Sequence, residues 1–219
     1  MLRHALAITA LVVILCPAVA KAQQPYVDVA AQASAEGLFP VRNTDIENVW
    51  MRPDAGIAFY TSIMVRPVRI SYQPARPATE DRPATIVPAR DRLSAASVYL
   101  GNAMIAALAK HSGYRVVAEP EVGTLELEPS ITGLVAYAED EDDGGMVPLD
   151  SVADMRLVIE LRDAYSGHLL VQASDSASVR KAFPGQDNAE AVKKLFDDWA
   201  MSAAERLAKV RMSASQLSK

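Results

Sequence analysis

The densest group of side chains that could bind a ligand is an acidic run in the second half of the chain. Five consecutive carboxylates extend from Glu139 to Asp143, and two glycines follow them. Carboxylate oxygens are ligands that a hard cation such as Ca²⁺ prefers. The spacing resembles an EF-hand loop, in which positions 1, 3, 5, 6 and 12 are filled here by Glu139, Glu141, Asp143, Gly144 and Asp150.

This resemblance to a calcium loop fails at the positions that matter for coordination. Glu139 and Glu141 stand where Asp is usual, and the shorter acid Asp150 stands where a bidentate Glu is needed. Pro148 stiffens the segment, and its flanks alternate as strands do rather than as helices. We interpret the run as a solvated hairpin tip. The alternative metal-ligand candidates are Glu139, Glu141, Asp143 and Asp150. No cofactor is predicted.

Histidines are the next candidates for chemistry, because an imidazole can act as a general base near neutral pH. His111 is predicted in the last turn of a helix, where a cation suits the helix dipole, and His168 follows Gly167 in a predicted turn. The sequence contains no G-x-S-x-G or H-E-x-x-H motif. We assign no catalytic residue, and the sequence gives an enzyme no support.

The start of the chain predicts export. A positive end with Arg3 precedes an apolar stretch of about 15 residues, too short to span a hydrocarbon core of about 30 Å. Ala20 and Ala22 form an A-x-A cleavage site, so residues 1–22 are predicted to be a signal peptide and Gln23 the first mature residue. Ala18 and Ala20 form a second possible site, which would place the cut two residues earlier. The alternative is a lipoprotein anchored at Cys16, which the bulky residue before that cysteine disfavours.

Composition limits the classes of partner and of metal site expected for the mature chain. Cleavage would remove the single cysteine, which excludes disulfides and thiolate metal sites. It would leave 20 Lys and Arg against 27 Asp and Glu, a net charge of −7. Nucleic acid and anionic lipid require clustered positive charge and are not expected as partners. We expect a soluble periplasmic or secreted protein without a transmembrane segment in its mature form.

The first half of the chain predicts few regular elements. Residues 23–37 are small and polar and are interpreted as a mobile leader or a frayed helix. A strand is predicted within residues 57–70, with Pro67 bending its far end, and a Pro-rich loop over residues 72–90. A helix capped by Ser94 follows, with its buried face at Val98, Ile105, Leu108 and Ala109.

The second half predicts a sheet and a covering helix. After a short strand at 115–118, odd-numbered apolar residues predict three strands with one buried face, formed by Leu125, Leu127, Met155, Leu157, Ile159 and Leu169. Residues 163–168 are predicted to form a hairpin turn. An amphipathic helix with Val192, Phe196, Trp199, Ala203 and Leu207 on one stripe then packs on the sheet.

These elements predict an α+β two-layer sandwich, with a mostly antiparallel sheet and the helices on one face. The order is strand, helix, four strands, helix. A single domain over residues 38–212 and a disordered tail over 213–219 complete the organisation. Phe196 and Trp199 are expected in the core, whereas Trp50, whose neighbours show no clear period, is a candidate interaction surface.

Four stretches resemble a family of secreted bacterial proteins that share domain of unknown function 3313. They are Trp50-x-x-Pro53-x-Ala55, Tyr60-x-x-Ile63-Met64-Val65-x-Pro67-Val68, the run from Leu161 to Leu169, and Trp199-Ala200. The resemblance implies a compact α/β domain, distantly like small envelope-assembly subunits, in a periplasmic protein or lipoprotein. It implies no catalytic or ligand-binding residue.

The function expected from the sequence is that of a non-enzymatic accessory protein of the cell envelope. Its sheet edges and Pro-rich loop suit docking to another envelope protein, which the sequence does not identify. The alternative is a small-molecule-binding protein or a hydrolase of the envelope.

Overall fold

A computed structural model describes residues 28–42, 44, 46–79, 84–137, 151–180 and 188–217. Its helices are α1 (Val29–Ala35), α2 (Arg90–His111) and α3 (Asn188–Leu217). Its strands are β1 (Phe39–Pro40), β2 (Asn48–Met51), β3 (Ser62–Val65), β4 (Arg69–Tyr72), β5 (Thr85–Ile86), β6 (Arg115–Val116), β7 (Thr124–Tyr137), β8 (Ser151–Asp163) and β9 (Leu169–Arg180). The predicted α+β class is confirmed, and the predicted order of elements recurs with α1, β1, β2 and β5 added.

The nine described strands form one mixed sheet in the order β1-β2-β9-β8-β7-β3-β6, with β4 and β5 pairing further along β7. The three long strands β7, β8 and β9 form the predicted antiparallel meander. The prediction of a mostly antiparallel sheet is wrong, because β3 and β4 run parallel to β7 and β3 runs parallel to β6. The reason is α2, a helical crossover between β3 and β7 that lets the two strands point the same way.

The main core lies between the sheet and the two long helices. Phe196, Trp199 and Leu207 of α3 are buried there with Leu125 and Leu127 of β7, as the sequence predicted. Trp199 is 6% exposed, stacks on Phe196 with ring centroids 6.1 Å apart, and donates its Nε1–H to Asp175 at 2.9 Å. The helix α3 therefore covers the apolar face of the meander.

The predicted face of α2 is correct only at Leu108, which has no exposed surface. Val98 and Ile105 are 60% and 42% exposed, whereas Leu100 and Met104, which were not predicted on that face, are fully buried. The helix also begins at Arg90, one turn before the predicted cap Ser94. By length and composition α2 is apolar enough to cross a membrane. It packs mainly on α3, and its buried residues Leu100, Met104 and Leu108 belong to the main core.

A second, smaller core lies on the opposite face of the sheet, so the helices are not all on one face. The short helix α1 is capped by Asp28, whose Oδ1 accepts the amides of Ala30 and Ala31 at 3.1 Å. Its buried residues pack against the sheet in a cluster of Val29, Ala33, Leu38, Trp50, Val158 and Leu169. Residues 29–35, expected to be a leader or a frayed helix, thus form a packed helix.

Two of the predicted strands are altered locally. Leu169, expected on the α3 face, lies in the α1 cluster because the register shifts between Leu161 and Arg162 and brings Leu170 to the main core instead. The first predicted strand is divided into a 3-10 helix at Ile57–Phe59, β3 and β4, with Pro67 in the gap between the strands. The predicted Pro-rich loop contains β5, whose Thr85 also bridges to Arg76.

Candidate functional site

Several of the predicted site residues lie outside the described part of the chain. They are the cleavage residues Ala20, Ala22 and Gln23 and the metal candidates Glu139, Glu141, Asp143 and Asp150. Within the described ranges, no group of three or more His, Cys, Asp or Glu side chains is placed to hold a metal ion.

The two candidate histidines lie where the sequence predicted them. His111 is the last residue of α2, and His168 is exposed just before β9. Among the described residues, neither imidazole forms a hydrogen bond or an ion pair, so the structure builds no catalytic triad around them. The side chain of Trp50, the candidate interaction surface, is 9% exposed and packs within the α1 cluster.

One end of the sheet instead displays three large apolar side chains that sequence analysis did not single out. Phe59 is 86% exposed, Val122 is 93% exposed and Tyr165 is 94% exposed. They precede β3, precede β7 and follow β8, three strands that are neighbours in the sheet. We call these three residues the rim. Large exposed apolar side chains on neighbouring loops are candidates for a contact surface.

The loop that carries Phe59 is held in a fixed shape. Gly56 adopts a positive φ of 55°, and its carbonyl accepts the amide of Phe59 at 2.9 Å in a single 3-10 turn. A Cβ at Gly56 would lie 3.2 Å from the ring of Phe59, so the glycine permits the ring to lie close to the backbone. Behind this turn, the Tyr114 hydroxyl donates to the Ile57 carbonyl at 2.9 Å.

Tyr165 is presented by an equally ordered hairpin. The Asp163 Oδ1 atom accepts the amides of Tyr165 at 3.1 Å and Ser166 at 2.6 Å, and Gly167 takes a positive φ of 72°. The backbone closes with the Gly167 amide on the Asp163 carbonyl at 2.8 Å. The predicted turn at 163–168 is thereby confirmed, and Tyr165 is fixed at its tip.

The three rim loops are joined to one another. Tyr60 donates its hydroxyl to Asp163 Oδ2 at 2.7 Å, which links the first loop to the hairpin. The Gly123 carbonyl accepts the Thr61 amide at 3.0 Å, which links the first loop to the one carrying Val122. The Ala164 amide donates to the Thr124 carbonyl at 3.1 Å. Hydrogen bonds therefore hold the three loops that carry the rim residues. The backbone of these loops would lose little conformational freedom on binding a partner.

The pKa shifts of Tyr60 and Asp163 favour the protonation states that their hydrogen bond requires. Burial, followed by the hydrogen bond to Asp163, raises the pKa of the Tyr60 hydroxyl to about 12. The amide of Ser166 is the main cause that lowers the pKa of the Asp163 carboxyl, with Tyr60 and Tyr165 contributing against a cost of burial. At neutral pH the phenol is thus a donor and the carboxylate an acceptor.

The sheet face opposite α2 and α3, which we call the polar face, has a different character. Glu160 accepts hydrogen bonds from Arg162 at 2.6 Å, Gln32 of α1 at 3.0 Å and Gln172 at 3.1 Å. Arg69 donates to Glu128 at 3.1 Å, and burial is the main cause that raises the pKa of Glu128. Glu160 and Glu128 are therefore each paired with an arginine of this face.

Beside this network lies a cleft of about 670 Å³. Its floor is formed by β7 and β8 with Ser130, Thr132 and Glu160, one wall by Gln32 of α1, and the other wall by β4. Gln73, Thr132 and Gly133 also line a second depression of about 290 Å³, so the two spaces adjoin. The sequence predicted an exposed face for these strands but gave no sign of a cleft, because α1 was not expected to pack there.

Three solved structures illustrate what the chain is similar to. A neuraminyllactose-binding hemagglutinin homolog from Helicobacter pylori has a TM-score of 0.41 and 10% identity, covering 74% of this chain and 92% of that one. A PelC dodecamer from Paraburkholderia phytofirmans has a TM-score of 0.36 and 12% identity, covering 66% and 88%. The lipoprotein GNA1162 from Neisseria meningitidis has a TM-score of 0.32 and 14% identity, covering 64% and 96%. At these values the likeness supports no inference about function.

Sequence comparisons identify a family but no characterised relative. No curated protein matches the chain at a significant level. One family model, described as a protein of unknown function (DUF3313), matches residues 33–203.

Proposed function

The chain belongs to the DUF3313 family, and we propose that it is a non-enzymatic accessory protein of the cell envelope that docks onto another envelope protein through its rim. The observation that carries this proposal is the near-complete exposure of Phe59, Val122 and Tyr165 on three neighbouring, hydrogen-bonded loops. Location in the envelope rests on the signal peptide predicted for residues 1–22.

A protein partner fits the rim better than a lipid surface does. Aromatic side chains are enriched at protein interfaces, where they supply contact area at a low cost in conformational entropy. The full chain has a net charge of −5, which opposes binding to an anionic bilayer. Next to Val122, Glu121 forms an ion pair with Arg115, so these two residues together add no positive charge beside the rim.

The proposal is tested by removing the rim and comparing a matched control. The rim variant carries Phe59→Ser, Val122→Ser and Tyr165→Ser. The control carries Phe39→Ser, Val98→Ser and Tyr72→Ser, which changes the same three residue types at exposed positions elsewhere. Each protein is crosslinked in intact cells and purified, and its bound partner is quantified.

We expect the wild-type protein and the control to retain one partner in a fixed ratio and the rim variant to lose at least about 90% of it, a loss of affinity of about tenfold or more. A photocrosslinking residue at position 165 should capture the same partner, whereas one at position 72 should not. Equal capture by the rim variant and the control would refute the proposal. Rim-dependent sedimentation with phospholipid vesicles, without a protein partner, would also refute it.

A further inference from the structure

We propose that the cleft on the polar face binds a neutral oligosaccharide. This inference is separate from the proposed function, because the cleft lies on a face of the sheet and the rim lies at the end of the strands. Its volume of about 670 Å³ is within the range of ligand-binding pockets, about 300–1,000 Å³.

The charges around the cleft argue for a neutral ligand. The carboxylate of Glu160 is already occupied by Arg162, Gln32 and Gln172, and Arg69 is paired with Glu128. A charged ligand would have to compete with these existing ion pairs, and displacing Arg162 would leave the side chain of Glu160, which is 10% exposed, without its cation. A ligand without charge avoids that cost.

The hydrogen-bonding groups argue for a ligand with several hydroxyls. The internal bonds of Ser71 and Ser130 are long, at 3.4 Å and 3.5 Å, so both hydroxyls retain capacity for a better partner. Thr132 and Gln73 add a hydroxyl and an amide on the same side of the cleft. Each of these groups can both donate and accept, as a sugar hydroxyl does.

The apolar part of the cleft suits the C–H faces of sugar rings. Tyr72, on the wall formed by β4, is 46% exposed and is the most exposed apolar side chain of the cleft lining; Val29 and Val158, which also line it, are only 5% and 4% exposed. An aromatic ring beside a set of hydroxyl and amide groups can contact the apolar face of a pyranose while its hydroxyls are bonded at the edge.

The shape of the cleft argues for a chain of sugars rather than for one. The second depression continues past Gly133, and a Cβ added to that glycine would meet no atom within 4 Å. Arg156 and Ser176 also line this second depression, and the Arg156 Nε–H donates to Ser176 Oγ at 3.1 Å. Two adjoining spaces with polar walls match consecutive units of an oligosaccharide.

The test is a titration of the full chain, followed by NMR of its backbone amides. The probes are three neutral tetrasaccharides, chitotetraose, cellotetraose and maltotetraose, with tetragalacturonate as their charged counterpart. We expect at least one neutral probe to give saturable shifts centred on Gln73, Thr132 and Gly133, with a Kd of about 1 mM or tighter. Tetragalacturonate should bind at least about tenfold more weakly.

Two variants check that the named groups bind the probe. Thr132→Val and Gln73→Leu should each weaken binding by about threefold to tenfold, the effect of one lost hydrogen bond. Thr61→Val, which removes an exposed hydroxyl near the rim, should leave the affinity for the probe unchanged. A melting temperature equal to that of the wild type shows that each variant is folded. The absence of saturable shifts with every neutral probe, shifts confined to another surface, or equal binding of tetragalacturonate would overturn the proposal.

Discussion

The Tyr60 hydroxyl donates to the Asp163 carboxylate at 2.7 Å and so joins two loops that are 103 residues apart in the chain. Both residues belong to stretches that carry the resemblance to the DUF3313 family. Each stands beside a rim residue, Tyr60 next to Phe59 and Asp163 two positions before Tyr165. One hydrogen bond therefore helps to fix the relative positions of two rim side chains.

Removing the Tyr60 hydroxyl should destabilise the protein. Tyr60→Phe keeps the ring but leaves Asp163 without this donor, and a hydrogen bond to a charged group is worth about 1.5–3 kcal/mol. Since both side chains are partly exposed, we expect a loss of about 1–2 kcal/mol in the free energy of unfolding measured in urea. Tyr165→Phe removes a hydroxyl from a residue that is 94% exposed and should change it by less than about 0.5 kcal/mol. Equal effects of the two variants would contradict this account.

The Asp163 carboxylate should make stability depend on acid pH. Because its pKa in the folded protein is lowered from 3.8, its contribution is present above that value and is lost as pH falls through the lower, folded pKa. Chemical unfolding between pH 6 and pH 2 should show the advantage of the wild type over Asp163→Asn at pH 6 and its loss below pH 3.8. The exposed Asp54→Asn, at the same end of the sheet, is the control. A difference from Asp163→Asn that stays constant over this range would disprove the assignment.

The sequence analysis succeeded where apolar residues alternate strictly. The odd-numbered positions of β7 and β8 predicted Leu125, Leu127 and Leu157 in the core because only one period fits those strands. It failed for α2, where alanines surround the helix and several faces are equally apolar; Leu100 and Met104 are buried while Val98 is exposed. Tertiary packing, rather than periodicity, selects the face in such a helix.

The rim and the cleft were missed for different reasons. Val122 and Tyr165 are single apolar residues within turns, and the sequence does not show that β3, β7 and β8 bring their ends together. A large apolar residue inside a predicted turn was nevertheless a usable signal. The cleft depends on α1, whose seven residues are too few to be predicted as a stable helix without the contact of Val29 with the sheet.

Trp50 should contribute to stability and not to docking. It is buried with Val29 and Leu169, so Trp50→Ala should cost about 3 kcal/mol, at the low end of the range for a core aromatic. Thermal unfolding measures this loss, and Trp50→Phe should recover most of it. The folded fraction of Trp50→Ala should still capture the rim partner. If Trp50→Ala kept its stability and lost the partner, Trp50 would be the interaction surface instead.

Export should produce a defined mature chain. The A-x-A site ending at Ala22 predicts that the intact mass of the protein recovered from the envelope fraction corresponds to a chain beginning at Gln23. Ala22→Arg should block this cleavage, because the peptidase accepts only a small residue there. A lipid-modified species that begins at Cys16 would show that the protein is membrane-anchored.

Substitution of Trp199 tests the packing of α3 on the sheet, on which the rim and the polar face both depend. Its ring stacks on Phe196, its Nε1–H bonds to Asp175 of β9, and α3 covers the main core through it. Trp199→Ala should therefore lower the free energy of unfolding by about 3–5 kcal/mol. Trp199→Phe should lower it by less, because the ring is retained while the bond to Asp175 is lost.

The control for Trp199 is a residue on the outer face of the same helix. Lys194 is exposed and pairs with Asp198 at 2.7 Å, an i,i+4 ion pair of the kind that contributes about 0.3–0.5 kcal/mol. Lys194→Ala should change the free energy of unfolding by no more than about 0.5 kcal/mol in the same urea titration. If Trp199→Ala proved as mild as Lys194→Ala, α3 would not be packed on the meander through this ring, and the strand ends that form the rim would need another support.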